Sequence, residues 1–224
     1  MKILCIGDSL TLPRKGCDYS DTWIARIKTE FQNCDFICNF KGGMLIKDAF
    51  QLWDYYYKYS KIDYVILQEG ICDCSPRHVN ENSYFWRVII KIAEKIRVSK
   101  FLWWLIKLKP RSPSCTFTSR KSFVQFSEKL MDGFFSSEVK AVIIIKIGYG
   151  APTVTSRSKY FNSNVDEYNA FFEKLKVKFG ERIVTIDPLK KVNDDMFVDG
   201  YHCNAEGMKA VYIELSNVLH KLFD

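Results

Sequence analysis

The sequence lacks any hydrophobic run long enough to cross a membrane. Its longest apolar runs, Phe101–Ile106 and Ala141–Ile145, contain six and five residues, whereas a membrane-spanning helix needs about 20. The apolar segment that follows Lys2 ends at Gly7 after only four residues, which is too short for the core of a secretory signal. We therefore expect neither a secretory leader nor a membrane span.

The sequence also lacks the cysteine spacing of a metal site. It has eight cysteines, but none forms a C-x-x-C pair, and the closest two are Cys72 and Cys74. A zinc site needs paired thiols with further Cys or His ligands at suitable spacing. Two other cysteines, Cys5 and Cys38, fall in predicted strands, where a free thiol behaves as a small apolar side chain. We expect reduced thiols, a cytoplasmic protein, and no metal or cofactor.

Low-complexity linkers and internal repeats are absent as well, and 224 residues suit a single domain. Hydrophobic residues make up 47% of the chain, which excludes a disordered protein. The net charge of +7 arises from one segment, residues 91–121, which holds nine basic residues and one acid, Glu94. The basic residues are Lys91, Lys95, Arg97, Lys100, Lys107, Lys109, Arg111, Arg120 and Lys121. This segment carries +8, and the rest of the chain carries −1.

The basic segment also contains aromatic residues, and several interpretations of it are open. It could stack on nucleic acid, dock on a membrane interface, or form a cationic wall against an acidic glycan. It could also be a helix that packs its apolar face on the core and leaves its lysines in water. Because Trp103 and Trp104 are adjacent, one of them should be partly exposed. No nucleic-acid-binding motif accompanies the charge, so we expect no nucleic-acid partner.

Strand and helix patterns alternate along the chain. Five runs rich in Ile and Val indicate strands buried between helix layers: Lys2–Ile6, Asp35–Asn39, Tyr64–Gln68, Val139–Ile147 and Arg182–Ile186. Helical patterns cover Asp21–Phe31 with a cap at Ser20 or Asp21, Met44–Tyr57, Ser83–Ile96, Ser119–Phe135, Val165–Phe179 closed by Gly180, and Ala205–Phe223 capped by Asn204. The alternation predicts an α/β fold in one domain, residues 1–224, with parallel strands in a three-layer α/β/α sandwich.

Candidate catalytic residues lie near both ends of the chain. Ser9 follows the first strand, and in open α/β sheets the functional site lies beyond the carboxyl ends of the strands. Taken alone, the position of Ser9 favours a helix cap over a nucleophile. His202 precedes the last helix and has a carboxylate, Asp199, three residues before it. A histidine held by a carboxylate can accept a proton from a serine hydroxyl.

Four sequence blocks together resemble the SGNH/GDSL hydrolase family. They are Gly7-Asp8-Ser9-Leu10, Asn39 with Gly42-Gly43, Val65 to Asp73, and Asp199-x-x-His202. The resemblance implies a flavodoxin-like five-stranded sheet and serine-dependent chemistry on acyl esters. In that scheme Ser9 is the nucleophile, His202 is the general base and acid, and Asp199 orients His202. The backbone N–H groups of Ser9 and Gly43 would stabilise the oxyanion, with Gly42 as the alternative donor.

The third block departs from the family pattern. Where the family has an Asn that donates to the oxyanion, this sequence has Cys72, and a thiol is a weak donor. Arg77, just downstream, is a candidate replacement, although it could also simply pair with a surface acid. The string from Gly70 to Arg77 further resembles a subgroup associated with bacterial surface-polysaccharide gene clusters. We also expect Asp8, Gly42 and Asp73 to contact the substrate.

The sequence therefore predicts an esterase that acts on O-acyl groups of a carbohydrate, with O-acetyl as the expected group. An O-acyltransferase would use the same serine and histidine and pass the acyl group to a sugar instead of water. A non-catalytic glycan-binding protein on the same fold is the remaining alternative. The expected partner is an acylated carbohydrate or another small ester. Residues 91–121 could add a peripheral contact with a membrane or an acidic glycan.

Overall fold

Five parallel strands form the centre of the computed structural model, which describes residues 1–81 and 83–223. The strands are β1 (Lys2–Gly7), β2 (Asp35–Phe40), β3 (Tyr64–Gln68), β4 (Ala141–Ile145) and β5 (Ile183–Ile186). Their order in the sheet is β2-β1-β3-β4-β5, and Cys5 of β1 lies opposite Cys38 of β2 and Ile66 of β3. This is the strand order of flavodoxin-like folds, as predicted.

In the described parts of the chain, seven longer helices connect and flank the strands. They are α1 (Trp23–Glu30), α2 (Ile46–Leu52), α3 (Tyr84–Lys95), α4 (Ser99–Lys107), α5 (Arg120–Ser136), α6 (Phe161–Phe179) and α7 (Ala205–Phe223). Shorter helical turns lie at Ser9–Thr11, Tyr19–Asp21, Trp53–Tyr57, Ile71–Cys74, Pro152–Thr155, Gly180–Arg182 and Asp194–Met196. The turn at Trp53–Tyr57 is π-helical and continues α2.

The helices cover both faces of the sheet. Successive strand residues point to opposite faces, so Leu4 packs with α2, α5 and α6, whereas Ile3 packs with α1 and α7. Trp23 of α1 and Phe123 of α5 are fully buried against these two faces. The predicted three-layer α/β/α sandwich is confirmed.

Several predicted boundaries differ from the structure: α6 begins at Phe161 and not at Val165, and α2 begins at Ile46 and not at Met44. Two other differences have a clear local cause. Helix α1 is capped by Thr22, whose hydroxyl accepts the N–H of Ala25 at 3.3 Å, and not by Ser20 or Asp21, because these two form a separate 3-10 turn. Strand β4 begins at Ala141 and not at Val139. The Val139 N–H still bonds to the carbonyl oxygen of Phe134 at the end of α5, so strand pairing starts two residues later.

Helices α3 and α4 form a hairpin that leaves most of its apolar side chains exposed. Only Ala93 of α3 and Ile106 of α4 are buried. The interpretation in which this part of the chain packs its apolar face on the core is therefore wrong. Trp104 is exposed and Trp103 is half-buried, as their adjacency predicted. No helix within the described residues is long and apolar enough to span a bilayer.

Candidate active site

Ser9 lies at the end of β1, in a turn that its neighbours hold in place. Gly7 is required there, because a Cβ at this position would collide with the Thr11 side chain. Asp8 caps the turn Ser9–Thr11, and its Oδ1 accepts the N–H of Leu10 at 2.8 Å. The Ser9 side chain is half-buried, so its hydroxyl lies near the protein surface at the carboxyl end of β1.

His202 and Asp199 reach Ser9 from a loop just before α7. The Ser9 Oγ lies 3.0 Å from His202 Nε2, and His202 Nδ1 lies 2.7 Å from Asp199 Oδ2. The loop is closed by the Val198 N–H, which donates to the His202 carbonyl oxygen at 2.8 Å. Gly200 makes the tight turn with a φ of 97°. Three residues from opposite ends of the chain thus form one hydrogen-bonded row.

The charges of the row fix the direction of its hydrogen bonds. Burial alone would raise the pKa of Asp199, but its hydrogen bonds from His202 outweigh this and hold the pKa below its usual value. An ionised carboxylate only accepts, so His202 Nδ1 carries the proton that faces Asp199. His202 Nε2 is then the acceptor for the Ser9 hydroxyl. Burial lowers the pKa of His202, which favours this neutral imidazole.

Two further residues touch the row, and no pattern in the sequence singled them out. Arg14 donates from Nη2 to the carbonyl oxygen of Ser9, and its charge adds to the lowering of the His202 pKa. Tyr201 lies against the imidazole, with ring centroids 4.1 Å apart. Arg14 itself is held in an irregular turn, where it forms a backbone bridge with Cys17. Local composition does not reveal such a turn.

The loop after β2 contains the two predicted glycines. The Lys41 N–H donates to the Gly7 carbonyl oxygen at 3.0 Å, which ties this loop to the strand end that leads into Ser9. Gly43 has a φ of 77°, a conformation that favours glycine. Both Gly42 and Gly43 are exposed, with open space where a Cβ would stand. The backbone of this loop is therefore accessible to a ligand.

Cys72 occupies the short helical turn Ile71–Cys74 beyond β3. This turn starts at Gly70, whose φ is 119° and whose missing Cβ leaves room for Ile147. Burial, with added repulsion from the carboxyls of Asp8 and Glu69, raises the pKa of the Cys72 thiol to about 12. The thiol is thus protonated at neutral pH and offers one weak S–H donor.

Asp8 and Asp73 are not placed to bind a substrate, which corrects the sequence-based expectation. Both are fully buried. Asp73 Oδ2 accepts the N–H of Ile46 at 3.1 Å, which joins the third block to the start of α2. These carboxyls therefore hold loops together. The sequence did not reveal this, because polar residues in functional loops are mostly exposed.

A third carboxyl, Glu69, is buried near Asp8 and Asp73. Neither of its oxygens has a hydrogen-bond partner within the described part of the chain. Burial raises the pKa of all three groups: to about 7 for Asp8, to about 6 for Asp73, and well above the usual value for Glu69. No set of three His, Cys, Asp or Glu residues in the described regions could hold a metal ion.

A cleft of about 480 Å³ adjoins the row on the side of Asp199 and Tyr201. Its lining includes Trp103 and four cations: Arg77, Lys107, Arg111 and Arg157. None of the four forms an ion pair with another described residue. Two carboxylates, Glu81 and Asp199, also line the cleft, so its four cations leave it with a net positive charge beside an aromatic wall.

Arg77 was predicted either to replace the missing oxyanion donor or to pair with a surface acid. Its guanidinium stacks on the Phe117 ring at 3.9 Å. Within the described residues it makes no hydrogen bond to Ser9 or His202. The structure thus places Arg77 in the cleft and brings a different arginine, Arg14, into contact with Ser9.

Solved structures of known proteins share this fold across nearly the whole chain. A lipase/acylhydrolase from Enterococcus faecalis superposes with a TM-score of 0.66 at 14% identity, covering 97% of this chain and 94% of the other. The acetyl xylan esterase AlAXEase gives 0.63 at 15%, covering 97% and 99%. A protein of the G-D-S-L family from Desulfitobacterium hafniense gives 0.62 at 15%, covering 97% and 98%.

The chain has the same fold as these three proteins. No family model and no curated protein sequence matches it, and at 14–15% identity the structural likeness establishes the fold alone. On this fold, the row of Ser9, His202 and Asp199 lies at the carboxyl ends of the strands, where open α/β sheets carry their sites.

Proposed function

We propose that the protein is a serine-dependent esterase that cleaves O-acyl groups through an acyl-enzyme. The observation that carries this proposal is the row of hydrogen bonds, 3.0 Å from Ser9 Oγ to His202 Nε2 and 2.7 Å from His202 Nδ1 to Asp199 Oδ2. A nucleophile within reach of a base that a third group orients is the arrangement that activates a serine.

In the acylation step, Ser9 Oγ attacks the ester carbonyl carbon and gives its proton to His202 Nε2. Asp199 stabilises the imidazolium that forms. The tetrahedral intermediate then collapses, the bond to the alcohol oxygen breaks, and that oxygen takes the proton from Nε2. In the second half, a water gives a proton to Nε2 and attacks the acyl carbon. The acid leaves, and the proton returns to Ser9.

The oxyanion of each tetrahedral intermediate needs donors that stand ready before the reaction. We assign the backbone N–H groups of Ser9 and Gly43 to this task, with the Cys72 thiol as a weak third donor. The exposed loop at Gly43, tied to Gly7 at the end of β1, supports this assignment. Because the high pKa of Cys72 keeps it neutral, it does not repel the oxyanion as a thiolate would.

The cleft beside Asp199 supports an acylated carbohydrate as the substrate, and favours one that carries negative charge. Trp103 offers an aromatic face of the kind on which sugar rings stack. Arg111 and Arg157 supply unpaired positive charge for carboxylates or phosphates. One of the proteins with this fold is named as an acetyl xylan esterase, which is consistent with an O-acetyl group on a sugar.

The esterase is tested with p-nitrophenyl acetate. The wild-type protein should release p-nitrophenol, Ser9→Ala should not, and Ser136→Ala, which changes an exposed serine at the end of α5, should behave as wild type. No activity in the wild type, or equal activity in Ser9→Ala, would refute the proposal.

The substrate is tested with acetylated oligosaccharides with and without uronic acid groups. Acetate release from the acidic sugar should be faster, and Arg157→Ala should remove that preference without changing p-nitrophenyl acetate hydrolysis. Lys129→Ala, an exposed lysine of α5 outside the cleft, is the matched control. Equal rates on both sugars would reject the acidic substrate and leave the esterase standing.

A specific observation favours acyl transfer as the second candidate. With Cys72 in place of the family's Asn, the third oxyanion donor is weak, so attack on the acyl-enzyme is slow for any acceptor that the protein does not hold in position. A bound sugar hydroxyl, positioned in the cleft, would then compete well with water for the acyl-enzyme. Transfer of acetyl from p-nitrophenyl acetate to an oligosaccharide, faster than acetate release, would establish the transferase.

A further inference from the structure

The α3–α4 hairpin is the most apolar surface that the protein exposes. Of the 18 large apolar side chains exposed in the described chain, ten lie between residues 84 and 108. Monomeric soluble proteins rarely expose a continuous apolar patch of this kind unless it binds something. We propose that the α3–α4 hairpin is an interfacial anchor that docks the protein on the surface of an anionic lipid membrane.

The two faces of α3 follow from its spacing. Val88, Ile92 and Ile96 recur every four residues and form one exposed apolar row. A row of cations lies beside it, because each of these apolar residues is preceded directly by a basic one: Arg87, Lys91 and Lys95. They are all exposed. Helix α3 thus presents an apolar stripe bordered by positive charge, the pattern of helices that lie in a membrane interface.

Helix α4 repeats this design. Phe101, Trp104 and Leu108 share one exposed face, and the rings of Phe101 and Trp104 stack with centroids 5.8 Å apart. Two exposed lysines flank this face, Lys100 and Lys107, which are seven residues apart and so lie on the same side of the helix. A tryptophan on the apolar face and lysines beside it suit the boundary between headgroups and acyl chains.

A shared groove makes the two apolar faces continuous. It measures about 300 Å³ and runs between the helices, lined among others by Ile92, Ile96, Phe101 and Leu105. Every residue that lines it is apolar. The hairpin therefore offers one apolar surface with cations along both edges, and not two separate stripes.

The positive charge of the hairpin distinguishes among the partners that its apolar surface could bind. Residues 84–108, which contain both helices, hold six basic residues and one acid, Glu94, for a net charge of +5. A second copy of the protein would bring two cationic edges together, and an acidic glycan would leave the apolar face in water. An anionic bilayer satisfies both features, since its headgroups pair with lysines and its acyl boundary takes up the aromatic and aliphatic side chains.

The position of α4 also relates the anchor to the cleft. Trp103 and Lys107 line the cleft beside Asp199, while Phe101 and Trp104 belong to the exposed face of the same helix. Docking through this face would bring the cleft close to the membrane surface. The anchor itself does not depend on the proposed esterase activity, and its test measures binding alone.

The test is sedimentation with large vesicles of phosphatidylcholine, with and without phosphatidylglycerol. We expect binding to the anionic vesicles that weakens as salt is added, and little binding to phosphatidylcholine alone. The double variant Phe101→Ser/Trp104→Ser should lose binding. Lys91→Glu/Lys95→Glu should weaken it by about fivefold or more for each charge removed.

Controls separate docking from general effects of charge and folding. Lys176→Glu/Val177→Ser alters an exposed cation and an exposed apolar residue on α6 and should bind as wild type. Every variant should keep the wild-type circular dichroism spectrum and melting temperature. In the wild type, brominated phosphatidylcholine mixed into the anionic vesicles should quench tryptophan fluorescence, and Trp104→Phe should remove most of that quenching.

Four results would overturn the anchor. The first is no vesicle binding by the folded wild type, and the second is equal binding to neutral and anionic vesicles without salt dependence. The third is a concentration-dependent dimer that Phe101→Ser/Trp104→Ser abolishes while vesicle binding is absent, because the hairpin would then be an interface between copies of the chain. Binding of an acidic polysaccharide without vesicle binding would reject it equally.

Discussion

Replacing Cys72 by Asn should increase the esterase rate. Cys72 stands where the SGNH/GDSL pattern has an oxyanion-donating Asn, in the turn Ile71–Cys74 beside the buried carboxyls Asp8 and Glu69. Its thiol is protonated, since burial raises its pKa to about 12, but an S–H is a poor donor. The side chain is half-buried, so a larger amide can be accommodated at the rim.

The size of the gain follows from the energy of one donor. A hydrogen bond to a charged group contributes about 1.5–3 kcal/mol net, and removing a comparable oxyanion donor costs about 2.7–4 kcal/mol. The thiol already supplies part of this, so Cys72→Asn should gain between about 1.5 and about 3 kcal/mol. At about 1.4 kcal/mol per tenfold change, kcat should rise by roughly 10- to 10²-fold.

The assay is steady-state hydrolysis of p-nitrophenyl acetate by the wild type, Cys72→Asn, Cys72→Ser and Cys72→Ala. Because the interaction forms only in the transition state, kcat and kcat/KM should rise together in Cys72→Asn while KM stays constant. Cys72→Ser should gain less, and Cys72→Ala should lose activity slightly. A folded Cys72→Asn variant with unchanged kcat would refute the reasoning, since position 72 would then not face the oxyanion.

Two further predictions concern pH. His202 must be neutral to accept the Ser9 proton, and burial together with the charge of Arg14 lowers the pKa of His202, so kcat/KM should fall only below pH 6.5. Arg14→Met should move this fall in kcat/KM to higher pH, and an unchanged pH profile would exclude that role for Arg14. Burial raises the pKa of Glu69 above its unfolded value, so its carboxyl destabilises the fold increasingly as pH rises above about 4.3. Glu69→Gln should therefore raise the melting temperature more at pH 8 than at pH 5, unlike the exposed control Glu181→Gln, and an equal shift at both pH values would contradict the assigned burial.

Much of the fold could be predicted from the sequence, because its signals are local and repeated. Runs of Ile and Val such as Ala141–Ile145 predict strands that are buried on both faces. Asn204 caps α7 as predicted, because its Oδ1 accepts the N–H groups of Glu206 and Gly207. Boundaries were less certain where polar residues cluster. At the start of α1, Thr22 takes the cap and Ser20 does not, because a 3-10 turn intervenes.

The predicted site was partly accessible to sequence reasoning. Ser9 and His202 are 193 positions apart. Their places after the first strand and before the last helix made each a candidate, and the resemblance of four sequence blocks to the SGNH/GDSL family paired them. The contact between Arg14 and Ser9 depends on an irregular turn, which has no periodic pattern to reveal it. Burial of Asp8 and Asp73 depends on how loops from distant segments close over them.

The α3–α4 hairpin shows a different limit of sequence reasoning. Spacing predicts which side of a helix is apolar, here Val88, Ile92 and Ile96 on α3. Spacing does not tell whether that side meets the core or remains uncovered. The structure leaves it uncovered, which turns a pattern typical of core packing into a candidate docking surface.

The central claim is that Ser9 is an activated nucleophile, and covalent labelling tests it most directly. The protein is incubated with a fluorophosphonate probe, and the modified peptide is identified by mass spectrometry. We expect a single addition on Ser9 in the wild type and in Ser136→Ala, and none in Ser9→Ala. No labelling of the folded wild type, or equal labelling of Ser9→Ala, would contradict the account.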